Sequence, residues 1–306
     1  MLETFQFLER SNFKMKLVKR KVGKYIMMLD SKAGGIQKTL RGIGTKKKRE
    51  PELLFTLEKN IKPGMTVMDL GANVGYVSLL MASLVGPKGK LYAVEPDPKN
   101  FELLQMNIKL NKFKDRTVCY EMAMSDIVGE SNFYVGRNAS NLGSLIKHKK
   151  SVQKPTKVKC DTITHFFEKT GGFPDLIKMD LEGGEVQVFA GMYDLMKAKN
   201  FPCKIIMELH PQFYPKKKGL EYWMKKYFSE CGFTTELIIS AAVPIPDKFK
   251  KWGYTKPSRI IRNKGFYENF KNKHALIASC RVNIQPRPGN RLDSPKIARY
   301  ILISRG

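Results

Sequence analysis

Two carboxylates at the ends of neighbouring strands, with a glycine turn beside them, are the first chemistry legible in the chain. Val67-Met-Asp-Leu-Gly-Ala-Asn-Val-Gly-Tyr76 reads as a buried strand, a glycine turn and a helix start, and Val94-Glu95-Pro96 stands one strand further on. Asp69 closes the strand, Gly71 permits a tight turn with backbone open to a ligand, and Gly75 lets the new helix pass close to the sheet. Glu95 lies 24 residues after Gly71, where a carboxylate can accept both hydroxyls of a ribose. The spacing G-x-x-x-G puts Asn73 where dinucleotide folds keep the glycine that admits a pyrophosphate. A ribose-bearing ligand without phosphates fits this turn, and S-adenosylmethionine is the common one.

A second group of polar residues lies further along. Lys178-Met-Asp-Leu-Glu-Gly-Gly-Glu185 supplies three carboxylates near one strand end, and Glu208-Leu-His210 sets two side chains on one face of another strand. A sulfonium methyl is already electrophilic, so a transferase must chiefly align an acceptor oxygen and take its proton. Asp180 and His210 are the candidate bases, with Glu208 available to hold the imidazole in one tautomer. The same oxygens could gather Mg²⁺, although no metal is assigned, and a satisfied core pair is the plainer alternative. Glu182 and Glu185 suit the N-terminus of the helix that follows.

These groups need a scaffold, and the hydrophobic periods supply one. Leu53, Leu54, Leu57 and Ile61 share a helical face, ended by Lys62-Pro63-Gly64 and expected over the cofactor mouth. Then come a strand at 65–70, a helix at 74–85, a strand at 90–95, a helix at 97–111 capped by Asp97, and a strand at 117–123. Residues 129–160 read as an inserted ribbon with strands at Ser131–Val135 and Lys157–Cys160, before a short helix through Phe167 capped by Asp161. Strands Asp175–Asp180 and Cys203–His210 follow, then a helix whose face is Leu220, Trp223, Met224, Tyr227 and Phe228. Strands near 233–239 and 274–280 close the pattern around a Pro- and Lys-rich excursion. The expectation is an α/β, doubly wound, mostly parallel sheet whose carboxyl edge gathers Asp69, Glu95, Asp180, Glu208 and His210 in one crevice.

The 306 residues suffice for one large domain: a basic extension at 1–49, a core at 50–243, and a basic insertion, last strand and tail at 244–306. The glycine pairs in the first 49 residues predict only short strands or loops there. Net charge is +27, of which +22 falls in the first 50 and last 63 residues. Clustered Lys and Arg attract polyanions, so nucleic acid or an anionic surface is a possible contact, and solvated lysine-rich ends are the plainer reading of runs such as Lys46-Lys-Lys-Arg49. Five dispersed cysteines without C-x-x-C spacing and a start without signal-peptide features read as a reduced, cytoplasmic protein, and no apolar run is long enough to span a membrane.

Five ordered motifs, D-L-G-A-N-V-G-Y, A-V-E-P-D-P, A-M-S-D, K-M-D-L-E-G-G-E and M-E-L-H, resemble the FkbM-type S-adenosylmethionine-dependent methyltransferases over roughly residues 50–240. The resemblance implies a seven-stranded, Rossmann-like class I methyltransferase fold and O-methylation of sugars or polyketides. By position, it implies that Asp69, Gly71, Asn73 and Gly75 line the methionine and ribose of the cofactor, that Glu95 holds the ribose hydroxyls, and that Ser125 and Asp126 sit against adenine. Glu50-Pro51-Glu52 stands where the family often has an acidic residue, and the basic ends match no family motif. The reading is methyl transfer to a hydroxyl of a sugar, glycan or other small molecule. A ribose 2′-O RNA methyltransferase and a non-catalytic cofactor-binding protein are the alternatives. No N-P-P-Y loop or cysteine pair suits base methylation, and His148 and His165 are given no role.

Overall fold

A computed structural model describes residues 15–44, 48–136, 139–147, 154–280, 285–287, 290–294 and 296–306. Lys46, Lys47 and His148 lie outside the described residues. The chain forms two compact units, Met1–Ala123 with Gly129–Cys160, and Met124–Val128 with Asp161–Gly306.

The first unit opens with an antiparallel hairpin, β1 (Leu17–Val22) and β2 (Tyr25–Asp30), turned by Gly23 in the left-handed region. Alternation buries Tyr25, Met27 and Leu29. Helix α1 (Gly35–Ile43) follows, so the glycines expected to leave only strands and loops instead bound a nine-residue helix that buries Ile36, Gln37 and Leu40. Next come α2 (Pro51–Asn60), β3 (Thr66–Leu70), α3 (Tyr76–Val85), β4 (Lys90–Val94), α4 (Pro98–Leu110) and β5 (Thr117–Tyr120). Strands β3, β4 and β5 are parallel, with Leu70 opposite Val94 and Val94 opposite Tyr120. Asp97 caps α4 as expected, accepting from the backbone N–H groups of Lys99 and Asn100.

Two asparagines of the α4 end fasten the hairpin. The Asn107 amide exchanges hydrogen bonds with the N–H and C=O of Met28, and the Asn111 amide does so with Ile26. Both satisfy a strand edge that would otherwise present open backbone groups.

A two-residue strand β6 (Ala123–Met124) precedes the ribbon of β7 (Gly129–Gly136), β8 (Ala139–Ser144) and β9 (Thr156–Asp161), in which β7 pairs antiparallel with both others. Ala123, Phe133, Val158 and Cys160 form its core. Both strands expected in this stretch are present.

The second unit contains α5 (Ile163–Thr170), β10 (Leu176–Met179), α6 (Glu185–Ala198), β11 (Cys203–Glu208), α7 (Leu220–Glu230), β12 (Thr234–Ser240), α8 (Asp247–Lys251), β13 (Arg259–Ile261), β14 (Lys264–Tyr267), α9 (Asn272–Cys280), β15 (Gln285–Arg287), β16 (Asn290–Ser294) and β17 (Ala298–Arg305). Thr162, not Asp161, caps α5 through its hydroxyl; Asp161 instead takes the Thr162 N–H and faces His165 Nδ1 at 2.6 Å. Six strands run in the order β13-β14-β12-β17-β11-β10, against three in the parallel set of the first unit. β10 and β11 are parallel, and the chain's last strand, β17, slots antiparallel between β11 and β12.

The strand expected at 274–280 is helix α9. Ala275, Ala278 and Ser279 bury one helical face, and a run of small residues without alternation satisfies its backbone better as a helix than as a strand. The Pro- and Lys-rich excursion folds around Phe249, Trp252, Tyr254, Tyr267 and Phe270, with Tyr254 stacked on Phe270 at 4.1 Å. All five cysteines are free, and Cys160, Cys203 and Cys231 are buried. Among the described residues no helix is long and apolar enough to cross a membrane.

Candidate active site

In the first unit the β3–α3 turn is tied to the end of β4. The backbone N–H groups of Gly71 and Ala72 both donate to Val94 O at 3.0 Å, and the Asn73 N–H donates to Glu95 Oε2 at 2.8 Å. Gly71, Asn73 and Gly75 have φ of 75°, 52° and 87°. Asparagine tolerates the left-handed region because its side chain bonds locally, and here Asn73 Oδ1 accepts from the Val74 N–H at 2.9 Å. At Gly75 the close approach is to α4 rather than to the sheet: an added Cβ would stand 2.9 Å from the Leu104 side chain. Asp69 is fully buried and accepts from the Ser78 hydroxyl at 2.6 Å.

Glu95 is 4% exposed and accepts from the N–H groups of Asn73 and Asp97. Burial raises its carboxyl to about 8, with the Asp97 charge adding; the two backbone N–H groups and the Asn100 amide pull the other way. Donors from a ribose would join those that already favour the charged form. Before this turn, Glu50 pairs with Arg49 at 3.0 Å, Glu52 is buried in α2, and Tyr76 bonds the Arg49 backbone, which fixes the start of α2 at the start of α3.

In the second unit Ser125 is buried, its N–H donating to Asp161 O, and its hydroxyl donates to the exposed Asp126 at 3.0 Å. Helix α6 passes over this segment at Gly191, where a Cβ would meet Ser125 O at 2.3 Å. Gly191 escaped the sequence reading, although a lone glycine within an apolar helix is itself a sign of close packing.

The segment after β10 folds back on His210. Glu182 and Gly183 have φ of 50° and 103°, which turns the carboxylates of Asp180 and Glu182 toward Nε2 of His210, at 3.8 and 3.6 Å. Glu185, fully buried, meets Nδ1 at 3.1 Å and accepts the Leu181 N–H at 3.0 Å. The His210 N–H donates to the Tyr214 hydroxyl at 2.8 Å. Burial alone would lower the imidazole, but the Glu185 carboxylate outweighs it and raises His210 to about 9. Burial raises Glu182 to about 7 against the attraction of His210, and burial with the Glu208 charge raises Asp180.

Glu208 is engaged elsewhere. Its carboxylate accepts from Lys296 at 2.7 Å and from the Tyr300 hydroxyl at 3.1 Å, with Arg299 at 3.6 Å. Burial opposes its charge, but Lys296 and Arg299 prevail and hold it well below the usual carboxylate range. Lys296 and Tyr300 carried no signal in the sequence, since only folding brings β17 beside β11.

Immediately after His210 the same unit holds a cavity of about 590 Å³, lined among others by Pro211, Tyr214, Lys216, Lys218, Tyr222 and Lys225. Glu221, in the same lining, pairs with Lys225 at 2.9 Å.

A glycine turn followed by a buried carboxylate, in an α/β chain whose strand β17 runs antiparallel to its neighbours, is the pattern of the class I methyltransferases that use S-adenosylmethionine. The Methyltransferase FkbM domain matches residues 69–235, and the chain belongs to that family. It is 25% identical over 190 residues to the hexuronic acid methyltransferase AglP of Haloferax volcanii, across 61% of this chain and 71% of that one. It is 41% identical over 75 residues, 24% of its length, to a tRNA(Phe) (4-demethylwyosine(37)-C(7)) aminocarboxypropyltransferase of Pyrococcus horikoshii, of which the matched stretch spans only 26%. Among solved structures it aligns with an S-adenosylmethionine-dependent O-methyltransferase of Thermotoga maritima over 95% of this chain and 77% of that one, at 12% identity and a TM-score of 0.42.

Proposed function

We propose that the protein transfers the methyl group of S-adenosylmethionine to a hydroxyl of a sugar or glycan that carries an acidic group. The observation that carries this reading is a carboxylate and imidazole cluster followed directly by a cavity with three lysines and one paired glutamate. Lysines attract an anionic acceptor, and tyrosines such as Tyr214 and Tyr222 suit a sugar face. The similarity to a relative named for hexuronic acid methylation agrees with an acidic sugar.

In this reading Glu95 accepts the ribose hydroxyls, and Asp69, Gly71, Asn73 and Gly75 shape the turn that meets the methionine and ribose. Ser125 and Asp126 serve the adenine, where Asp126 would accept an amino N–H. The acceptor proton goes to a carboxylate of the Asp180 and Glu182 pair: a carboxyl near 7 is matched to base work at neutral pH, whereas an imidazole near 9 is already protonated. His210 therefore orients and balances charge, and Glu208, held by Lys296, supports the strand end. The acceptor oxygen forms its bond to carbon as the carbon–sulfur bond breaks, leaving S-adenosylhomocysteine.

The test is label transfer from tritiated S-adenosylmethionine to a panel of uronic acids, neutral sugars and RNA. Label should enter an acidic sugar, and Asp180→Asn with Glu182→Gln should abolish it while leaving S-adenosylhomocysteine binding intact. Label in RNA ribose, with none in any sugar, overturns the acceptor assignment.

A further inference from the structure

We propose that Asp180, Glu182 and His210 form a binding site for a divalent metal cation. One ligand atom from each, the imidazole Nε2 and two carboxylate oxygens, lies within 4.8 Å of the others. Nε2 is 3.8 Å from Asp180 Oδ1 and 3.6 Å from Glu182 Oε2. Those distances are too long for charge-assisted hydrogen bonds, which close to about 2.7–2.9 Å. They match neighbouring ligands about 2.1 Å from a shared ion, which at about 120° apart are separated by about 3.6 Å.

The imidazole is prepared for this. His210 is 4% exposed, and among the described residues Nε2 has no partner within hydrogen-bonding distance, whereas Nδ1 meets the fully buried Glu185 at 3.1 Å. A cation would displace the proton that Nε2 carries in the metal-free chain, while Glu185 keeps Nδ1–H, the arrangement that orients metal-bound histidines. Glu185 is itself fixed by the Leu181 N–H, which donates to the same Oε1 that meets Nδ1. The backbone at Glu182 is left-handed. A non-glycine residue there is costly, and here it brings the Glu182 carboxylate to Nε2. Glu208, the carboxylate that sequence spacing pairs with His210, is instead held by Lys296 and Tyr300.

One nitrogen and two oxygens suit a first-row divalent ion such as Mn²⁺ or Zn²⁺ and leave coordination positions open. This use of the site rests on the methyl-transfer reading: neighbouring oxygens of the acceptor would fill the open positions, the ion would lower the pKa of the hydroxyl, and its proton would pass to the oxygen of Asp180 or Glu182 that is not bound to the ion. Binding itself does not depend on that reading.

The full chain, stripped with EDTA and dialysed, is titrated with Mn²⁺ and separately with Zn²⁺ by calorimetry. One ion per chain is expected, with binding lost in Glu182→Gln and His210→Gln and weakened about 10- to 100-fold in Glu185→Gln. Asp247→Asn, exposed on α8, is the control and should bind like the parent. Circular dichroism melting checks that each variant is folded, and Glu182→Gln, on a partly exposed turn, carries the test if His210→Gln is not. No stoichiometric uptake of either ion, or unchanged uptake in folded Glu182→Gln, overturns the site. A bound ion in a protein that methylates no sugar overturns the acceptor reading alone.

Discussion

Glu95 concentrates more constraint than any other side chain of the glycine turn. Its carboxyl, raised to about 8 by burial, is mostly protonated below that pH, whereas ribose hydroxyls donate to the charged form. Affinity for S-adenosylhomocysteine should therefore rise between pH 6 and about 8 and level off towards pH 9. Calorimetry across that range checks it, and Glu95→Gln should flatten the profile and weaken binding by about 10- to 100-fold, the worth of one to two charge-assisted hydrogen bonds. Gly75→Ala is a structural counterpart. With φ at 87° and the Leu104 side chain 2.9 Å from the new Cβ, it should cost about 1–3 kcal/mol in a denaturant melt. Both glycine and carboxylate were legible in the sequence because the turn is local. That Gly75 makes room for α4 was not, because Leu104 lies a strand and half a helix further on.

At the scale of elements, β17 is the clamp of the second unit. Arg305 at its end is buried and donates to Met196 O and Lys199 O at the end of α6, to Phe201 O, and to Cys231 O at the end of α7. Each is a carbonyl left open where a helix stops or a loop begins, and a guanidinium can reach several at once. Arg305→Ala should lower stability by about 3–5 kcal/mol, since it leaves several buried acceptors unsatisfied, and an urea melt of the variant beside Arg299→Ala, which is partly exposed, separates this from simple loss of charge. Strands β3, β4, β10 and β11 could be read directly because they are short apolar runs, buried on both faces and bounded by turn residues, and α4 because one of its faces is buried at helical spacing. Helix α9 was mistaken for a strand because a short apolar run carries no period, and its small residues state only that something packs close.

For the molecule as a whole, charge is the property to test. Much of the +27 lies toward the ends of the chain, yet Lys296, Arg299 and Arg305 are engaged within the second unit rather than presented to a polyanion. In the proposed reading the lysines of the cavity after His210 meet the acceptor. Lys216→Ala with Lys218→Ala should raise KM for an acidic sugar several-fold with little change in kcat, and added salt should raise the parent's KM in the same direction. An unchanged KM in both experiments would mean that the cavity does not receive the acceptor.

By itself the sequence determined the glycine turn, the carboxylate one strand further on, the alternation of strands and helices and the family, because each is written in neighbouring residues or in a repeat that backbone geometry imposes. Only the tertiary structure decided which partners the catalytic candidates have. Glu208 meets Lys296 across 88 positions, and His210 meets Glu185 across 25. Such pairings depend on strand order and on how far a turn bends, and no local rule of spacing encodes either.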